Sequence, residues 1–325
     1  MRVLLVKTSS MGDVLHSLPA LTDAQHVFPE IQFDWAVEEG FAQIPTWHSA
    51  VNQVIPVAIR RWRKNWFSAP IRAERAAFRQ QLTATHYDAV IDAQGLLKSA
   101  FLVTRLAHGA KHGYDRHSIR EPIASFFYDY KHQISKQQHA VERIRQLFAA
   151  SLGYDCPKTQ GDYAIAQHFL HAPTELQGEY VVFLHSTTRD DKHWPEEHWR
   201  SLIALMAESG VKIKLPWGAE HEYQRALRLA EGFGFVDVLP KLTLAEVALQ
   251  IANAKAVVSV DTGLSHLTAA LDKTNFTLFG PTDPGLIGGY GLGQHEIKSV
   301  DKTMKSIEPD LVFKQLKSVL QQSGY

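Results

Sequence analysis

The sequence predicts an α/β protein of two domains, each a parallel β-sheet flanked by helices, with the two facing each other across a cleft. Three observations carry this expectation. Short, almost wholly apolar runs alternate with segments of helical period, as in strands buried on both faces of a parallel sheet. The alternation stops in a turn-rich stretch after about Leu152 and then begins again. A length of 325 residues suits two domains better than one.

Val3–Val6 is the first apolar run and predicts a strand. Gly12–Phe28 follows, with Val14, Leu15, Leu18, Leu21 and Val27 near helical spacing. Phe33–Val37, Val54–Val57 and Ala89–Ile91 are further strand candidates, separated by helical segments such as Ile71–Thr83 and Leu96–Ala107. The stretch Gly153-Tyr-Asp-Cys-Pro-Lys-Thr-Gln-Gly-Asp162 reads as a linker. Beyond it, Tyr180–Leu184, Val211–Leu215, Ala256–Val260 and Thr277–Phe279 predict strands. Pro195 suits the first turn of a helix through Glu208, where its missing N–H costs nothing. Ala219–Glu231 is the next helix. Thr243 with Glu246 three residues later is a capping box opening a helix through Ile251.

Composition excludes several classes. Hydrophobic residues at 45% and charged residues at 21% are ordinary for a globular chain and rule out bulk disorder. With 34 Lys+Arg against 34 Asp+Glu the net charge is zero, which argues against a protein that coats nucleic acid. The single cysteine, Cys156, can close no intrachain disulfide and can build no cysteine zinc site, which suits a reducing compartment. The apolar run before Lys7 is too short for a leader peptide, and no stretch approaches the roughly 18 apolar residues of a membrane span. A cytoplasmic protein is expected.

In open parallel sheets ligands bind beyond the carboxyl ends of the strands, so the loops there are the place to look. The first is Lys7-Thr-Ser-Ser-Met-Gly-Asp13. Asp13 stands where this turn meets a helix, and the local sequence leaves two roles open, a helix cap or a general base. His185-Ser-Thr-Thr-Arg-Asp-Asp-Lys-His-Trp-Pro195 holds the same place in the second half, and Thr187, Thr188 and Lys192 suit a phosphate or diphosphate. A solvated, charged turn is the alternative. Val260-Asp-Thr-Gly-Leu-Ser-His266 ends a buried strand and opens a helix whose first amides suit an anion. Gly280-Pro-Thr-Asp-Pro-Gly285 either lines the same pocket or merely connects elements. Arg60-Arg-Trp-Arg-Lys-Asn-Trp-Phe67, extended by Arg72, Arg75 and Arg79, is the one marked charge asymmetry. It reads as a solvated face, as a lipid-headgroup or phosphate surface with Trp62, Trp66 and Phe67 interleaved, or, less well, as a nucleic-acid contact. No G-x-G-x-x-G follows a predicted strand, no P-loop occurs, and no Asp-x-Asp is present to hold a divalent metal. A metal-free enzyme handling a diphosphate must neutralise it with Lys, Arg and helix N-termini.

Taken together, Lys7–Pro19, Arg60–Lys64, Thr187–Pro195, Val260–His266 and Gly280–Gly285 resemble the bacterial lipopolysaccharide heptosyltransferases of glycosyltransferase family 9, type I enzymes more than type II. The resemblance runs from Met1 to about Gly293. It implies a GT-B fold and an inverting transfer of heptose from ADP-heptose to the first Kdo of Kdo2-lipid A. It further implies Asp13 as the base, and Thr187, Thr188 and Lys192 at the donor diphosphate. Asp261, Thr262, Gly263 and His266 would lie at the donor heptose and phosphates, Glu222 at the ribose and Leu242 at the adenine. Arg60, Arg61, Arg63 and Lys64 are then the site for the acceptor's phosphates and Kdo carboxylates. No metal and no cofactor beyond the ADP-heptose co-substrate are expected, nor nucleic acid. The implied enzyme is a monomer, peripheral on the cytoplasmic face of the inner membrane. Its domains would span 1–155 and 156–307, with a last helix at about 308–325 packing back on the first. The alternatives are a type II heptosyltransferase with a heptose acceptor, a nucleotide-sugar epimerase on the same scaffold, and a two-lobed binding protein without turnover.

Overall fold

Apolar runs too short for buried helices become parallel strands in both halves of the chain. The structure, a computed structural model, describes residues 1–169 and 179–322. It divides into two units, Met1–Ala164 and Ile165–Tyr325. The first unit holds β1 (Arg2–Val6), β2 (Gln32–Glu38), β3 (Val51–Val57), β4 (His86–Asp92), β5 (His108–Tyr114) and β6 (Tyr130–His132). Their spatial order is 3-2-1-4-5-6, with every pairing parallel. Its helices are α1 (Met11–Leu15), α2 (Leu18–Val27), α3 (Ile59–Trp62), α4 (Ala69–Thr83), α5 (Leu97–Leu102) and α6 (Ala140–Leu152).

The second unit repeats the plan. It holds β7 (Tyr180–Leu184), β8 (Lys212–Leu215), β9 (Val236–Val238), β10 (Ala256–Val260), β11 (Asn275–Phe279) and β12 (Gln294–Lys298) in the order 12-11-10-7-8-9, again all parallel. With them come α7 (Glu196–Leu205), α8 (Glu220–Ala230), α9 (Leu244–Ala252), α10 (Gly263–Ala270) and α11 (Pro309–Gln322). In each sheet the chain winds outward from its first strand and then returns to that strand's other side. The switch falls between β1 and β4 in one unit and between β7 and β10 in the other. Side chains after those four strands are therefore the ones presented to a ligand.

Three expectations need correction. The helix expected over Gly12–Phe28 breaks at His16–Ser17, because Pro19 has no N–H to continue it and instead sits in the first turn of α2. The unit boundary falls at Ala164 rather than 155. Buried Arg145 of α6 explains this: it donates to the carbonyls of Pro157 and Thr159, and Gly161 lies against it and Pro19. Lastly, the C-terminal helix, expected to pack back on the first domain, is grouped with the second unit. Val312 and Leu316 of α11 are wholly buried in the core of the second unit, where the helix packs on α7 and β10.

Candidate active site

β1 delivers its last side chains to a loop fixed from the other side of the switch point. Gln94, two residues beyond β4, accepts from the Thr8 N–H at 2.7 Å, the Ser9 N–H at 3.0 Å and the Thr8 hydroxyl at 3.1 Å. Gln94 is held in turn by Asp92, which is fully buried and accepts from the Gln94 and Gly95 amides and the Thr104 hydroxyl. Burial pushes the Asp92 carboxyl up, against the pull of these donors. Lys7, also buried, donates to the Ala93 carbonyl at 3.1 Å, and its Nζ lies 3.3 Å from Asp13 Oδ1.

Asp13 fills the first of the two roles its position allowed, that of a helix cap. Its Oδ2 accepts from the Ser10 N–H at 2.8 Å and the Ser10 hydroxyl at 2.9 Å, one half of the capping box that opens α1. Its side chain is nevertheless 45% exposed, so the carboxylate is open to a ligand. Burial works against its charge, but Lys7, the Ser10 bonds and His16 outweigh that and hold its pKa at about 2. Asp13 is thus ionised throughout the neutral range.

The second unit builds an anion-suited constellation at its own switch point. Lys192, after β7, reaches Asp261, after β10, with Nζ to Oδ2 at 2.5 Å, and the Thr187 hydroxyl donates to the Asp261 carbonyl at 3.1 Å. Thr262 is the extended N-cap of α10 and Gly263 its first residue, so the first amides of that helix have no intrahelical partner. His266 follows on the same first turn, and exposed Thr188 lies on the opposite loop. Beneath them, Ser259, Asn275 and Thr277 bond to one another in the sheet, and Asn275 donates to the Ser265 carbonyl, which ties α10 to β11. His185, the residue after β7, is fully buried; burial and Arg225 push its pKa down to about 3, so it is neutral. Glu222 caps α8, its Oε2 accepting from the Gly218 and Ala219 amides at 2.7 and 2.9 Å. Half-buried Leu242 precedes α9, whose Thr243–Glu246 capping box forms as expected.

The basic stretch after β3 divides. Arg61 is spent on two carboxylates, bonding both oxygens of Glu39 and both of Glu74 at 2.8–3.1 Å. Arg63 and Lys64 are exposed, with no ion pair among the described residues, and Arg60 lies over the Phe41 ring. The interleaved aromatics are mostly structural. Trp62 is 5% exposed in the core beside Phe78, Trp66 is covered by Arg75 at 3.4 Å, and only Phe67 stands in solvent. Sequence reasoning missed Gln94 and gave Lys7 no role. The available signal was position, since both flank the carboxyl ends of β1 and β4. Among the described residues, no three His, Cys, Asp or Glu side chains gather as a metal site would require, and no helix is long and apolar enough to cross a membrane.

Two doubly wound parallel sheets, one presenting a carboxylate and the other a lysine beside a helix N-terminus, are the frame of a GT-B glycosyltransferase. The family model for glycosyltransferase family 9 (heptosyltransferase) matches residues 75–316. Lipopolysaccharide heptosyltransferase 1 of Escherichia coli (strain K12) is 69% identical over 320 residues, 98% of this chain and 100% of that protein. Among solved structures, E. coli heptosyltransferase WaaC with ADP superposes with a TM-score of 0.96 at 68% identity, over 98% of this chain and 100% of that one. The same heptosyltransferase with ADP-2-deoxy-2-fluoro heptose gives 0.93 at 67% identity, over 98% and 99%. The chain belongs to glycosyltransferase family 9, the heptosyltransferases.

Proposed function

We propose that the chain transfers L-glycero-D-manno-heptose from ADP-heptose to the first Kdo of Kdo2-lipid A, inverting the anomeric centre, as a monomer at the cytoplasmic face of the inner membrane. The observation that carries this reading is the placement of an ionised carboxylate, Asp13, at one switch point and of the Lys192–Asp261 pair beside the α10 N-terminus at the other. The 69% identity to a lipopolysaccharide heptosyltransferase 1 favours the type I acceptor.

In this mechanism Asp13 takes the proton of the Kdo hydroxyl as that oxygen bonds to the anomeric carbon. The bond from that carbon to the ADP oxygen breaks on the opposite face, so a single displacement inverts the centre. A base with a pKa of about 2 accepts the proton late, when bond formation has made the hydroxyl acidic. The charge growing on the diphosphate is met by Lys192, the Thr187 and Thr188 hydroxyls and the amides of Thr262 and Gly263. At rest Lys192 is held by Asp261, so the diphosphate displaces that carboxylate, which turns with His266 to the heptose hydroxyls. Glu222 offers the ribose the oxygen its cap does not use, and Leu242 packs on the adenine. Arg63 and Lys64, with Arg60, take the acceptor's phosphates and carboxylates. Arg61 acts at one remove, by fixing the stretch to Glu39 and Glu74. The reading requires no metal ion and no cofactor beyond the co-substrate.

The test is ADP release from ADP-heptose with and without Kdo2-lipid A. Release only with Kdo2-lipid A is expected. Release that requires an already heptosylated acceptor would mean a type II enzyme. Nucleotide release without any lipid would mean an epimerase-like reaction.

A further inference from the structure

With Trp62 buried and Trp66 covered, the 60–67 stretch offers a lipid one exposed apolar side chain, Phe67, and no cluster of them. Exposed apolar side chains of the first unit gather elsewhere, on α5 and on the 3₁₀ turn Pro122–Phe127. Leu97, Phe101, Ile123 and Phe126 are 39%, 44%, 61% and 82% exposed. The two elements touch. The Phe101 and Phe127 rings meet edge-on with centroids 6.1 Å apart, and the Leu97 N–H donates to Glu121 Oε2 at 2.6 Å. Single exposed apolar residues are ordinary, but four on two touching elements form a patch. Both elements follow strand carboxyl ends, those of β4 and β5, the same end of the sheet that carries Asp13.

The charges around the patch indicate its occupant. Lys98, Arg105, Arg116 and Arg120 fall in or between these elements, against Asp115 and Glu121. The Arg105 guanidinium lies 3.9 Å over the Phe101 ring, which lets the arginine cover an apolar neighbour while its charge stays at the polar boundary. Apolar tips rimmed by Arg and Lys complement a surface that is apolar below and anionic above. A second copy of the chain would set basic rim against basic rim.

We infer that the face formed by α5 and Pro122–Phe127 docks the chain on anionic phospholipid, with Ile123 and Phe126 entering the boundary between headgroups and acyl chains. The inference rests on the proposed work at the membrane. It assigns lipid contact to a face other than Arg60–Lys64, which stays available to the acceptor's own charges.

The test is sedimentation of the full chain with phosphatidylcholine vesicles, and with vesicles containing about 30% phosphatidylglycerol. Wild-type protein should favour the anionic vesicles. Ile123→Ser/Phe126→Ser should weaken that binding about tenfold or more. Its melting temperature, and its ADP release with a de-acylated, water-soluble Kdo acceptor, should stay as in wild type. Arg63→Ala/Lys64→Ala should still sediment. If the Ile123/Phe126 variant binds as wild type does, this face is not the docking surface, although membrane association stands. If wild type binds neither vesicle, both fail. If the variant instead abolishes a wild-type dimer while vesicle binding is unchanged, the patch belongs to a second copy and the inference is overturned.

Discussion

Lys192→Met tests the donor site at its most constrained point. Lys192 and Asp261 are 2.5 Å apart, with side chains only 15% and 11% exposed. Removing one partner from a fully buried pair costs about 3–5 kcal/mol. Discounted for the solvent that still reaches this pair, the cost should be about 2–3 kcal/mol, measured by urea unfolding. Lys192→Met/Asp261→Asn removes both charges and should cost about 1 kcal/mol, so the two sites couple strongly in a double-mutant cycle. Function should separate from stability. A charge-assisted hydrogen bond is worth about 1.5–3 kcal/mol, so Lys192→Met should weaken ADP binding about ten- to a hundredfold in calorimetry. Asp261→Asn frees Lys192 and should bind ADP no more weakly than wild type, while losing affinity for ADP-heptose, which carries the sugar. A folded Lys192→Met protein that binds ADP within about twofold of wild type would refute the assignment of Lys192 to the diphosphate.

Lys7→Met should raise the pKa of Asp13. At 3.3 Å, with the dielectric of about 40–80 suited to a half-exposed carboxylate, the charge is worth about 1–2 pKa units. The sign follows from the loss of a cation that favours the ionised form, so Asp13 should move from about 2 towards its ordinary 3.8 in an NMR titration. In wild type, the depressed pKa stabilises the fold above about pH 4 and the contribution is lost as pH falls towards 2. An unmoved titration would show that Lys7 does not set the Asp13 charge. Arg63→Ala/Lys64→Ala should raise the acceptor KM about tenfold while leaving ADP-heptose affinity alone. Arg61→Ala should do so less, since its guanidinium is already divided between Glu39 and Glu74. Equal loss of donor and acceptor affinity would remove this stretch from the acceptor site.

The strands nearest the site were the most legible, for a physical reason. β1, β7 and β10 are central and covered on both faces, so their sequences are nearly pure apolar runs. The peripheral strands lack that signal. β12 buries only Ile297 fully, and β5 contains two glycines that packing demands. Gly113 lies against the Tyr128 ring and Gly109, at φ +138°, against the Tyr87 carbonyl, so neither can contribute an apolar side chain. The loops that carry Asp13, Lys192 and Asp261 were legible because strand ends could be located. Their partnerships were not, since Gln94 reaches Thr8 across 86 residues and Lys192 reaches Asp261 across 69. The basic stretch misled in detail. A run of Arg and Trp reads as an exposed face until Glu39 and Glu74 are seen to hold Arg61, and Phe78 to pack on Trp62.

The central claim is that Asp13 is the base of an acceptor-dependent heptosyl transfer, and one variant addresses it most directly. Asp13→Asn keeps the shape of the side chain and an oxygen for Ser10, so α1 should stay capped and the protein should fold, with a melting temperature lowered by the loss of the Lys7 pair. With ADP-heptose and Kdo2-lipid A supplied together, turnover should fall by about 10²–10⁴, the usual worth of a positioned base, with ADP affinity unchanged. Near-normal turnover in the folded variant would contradict the claim.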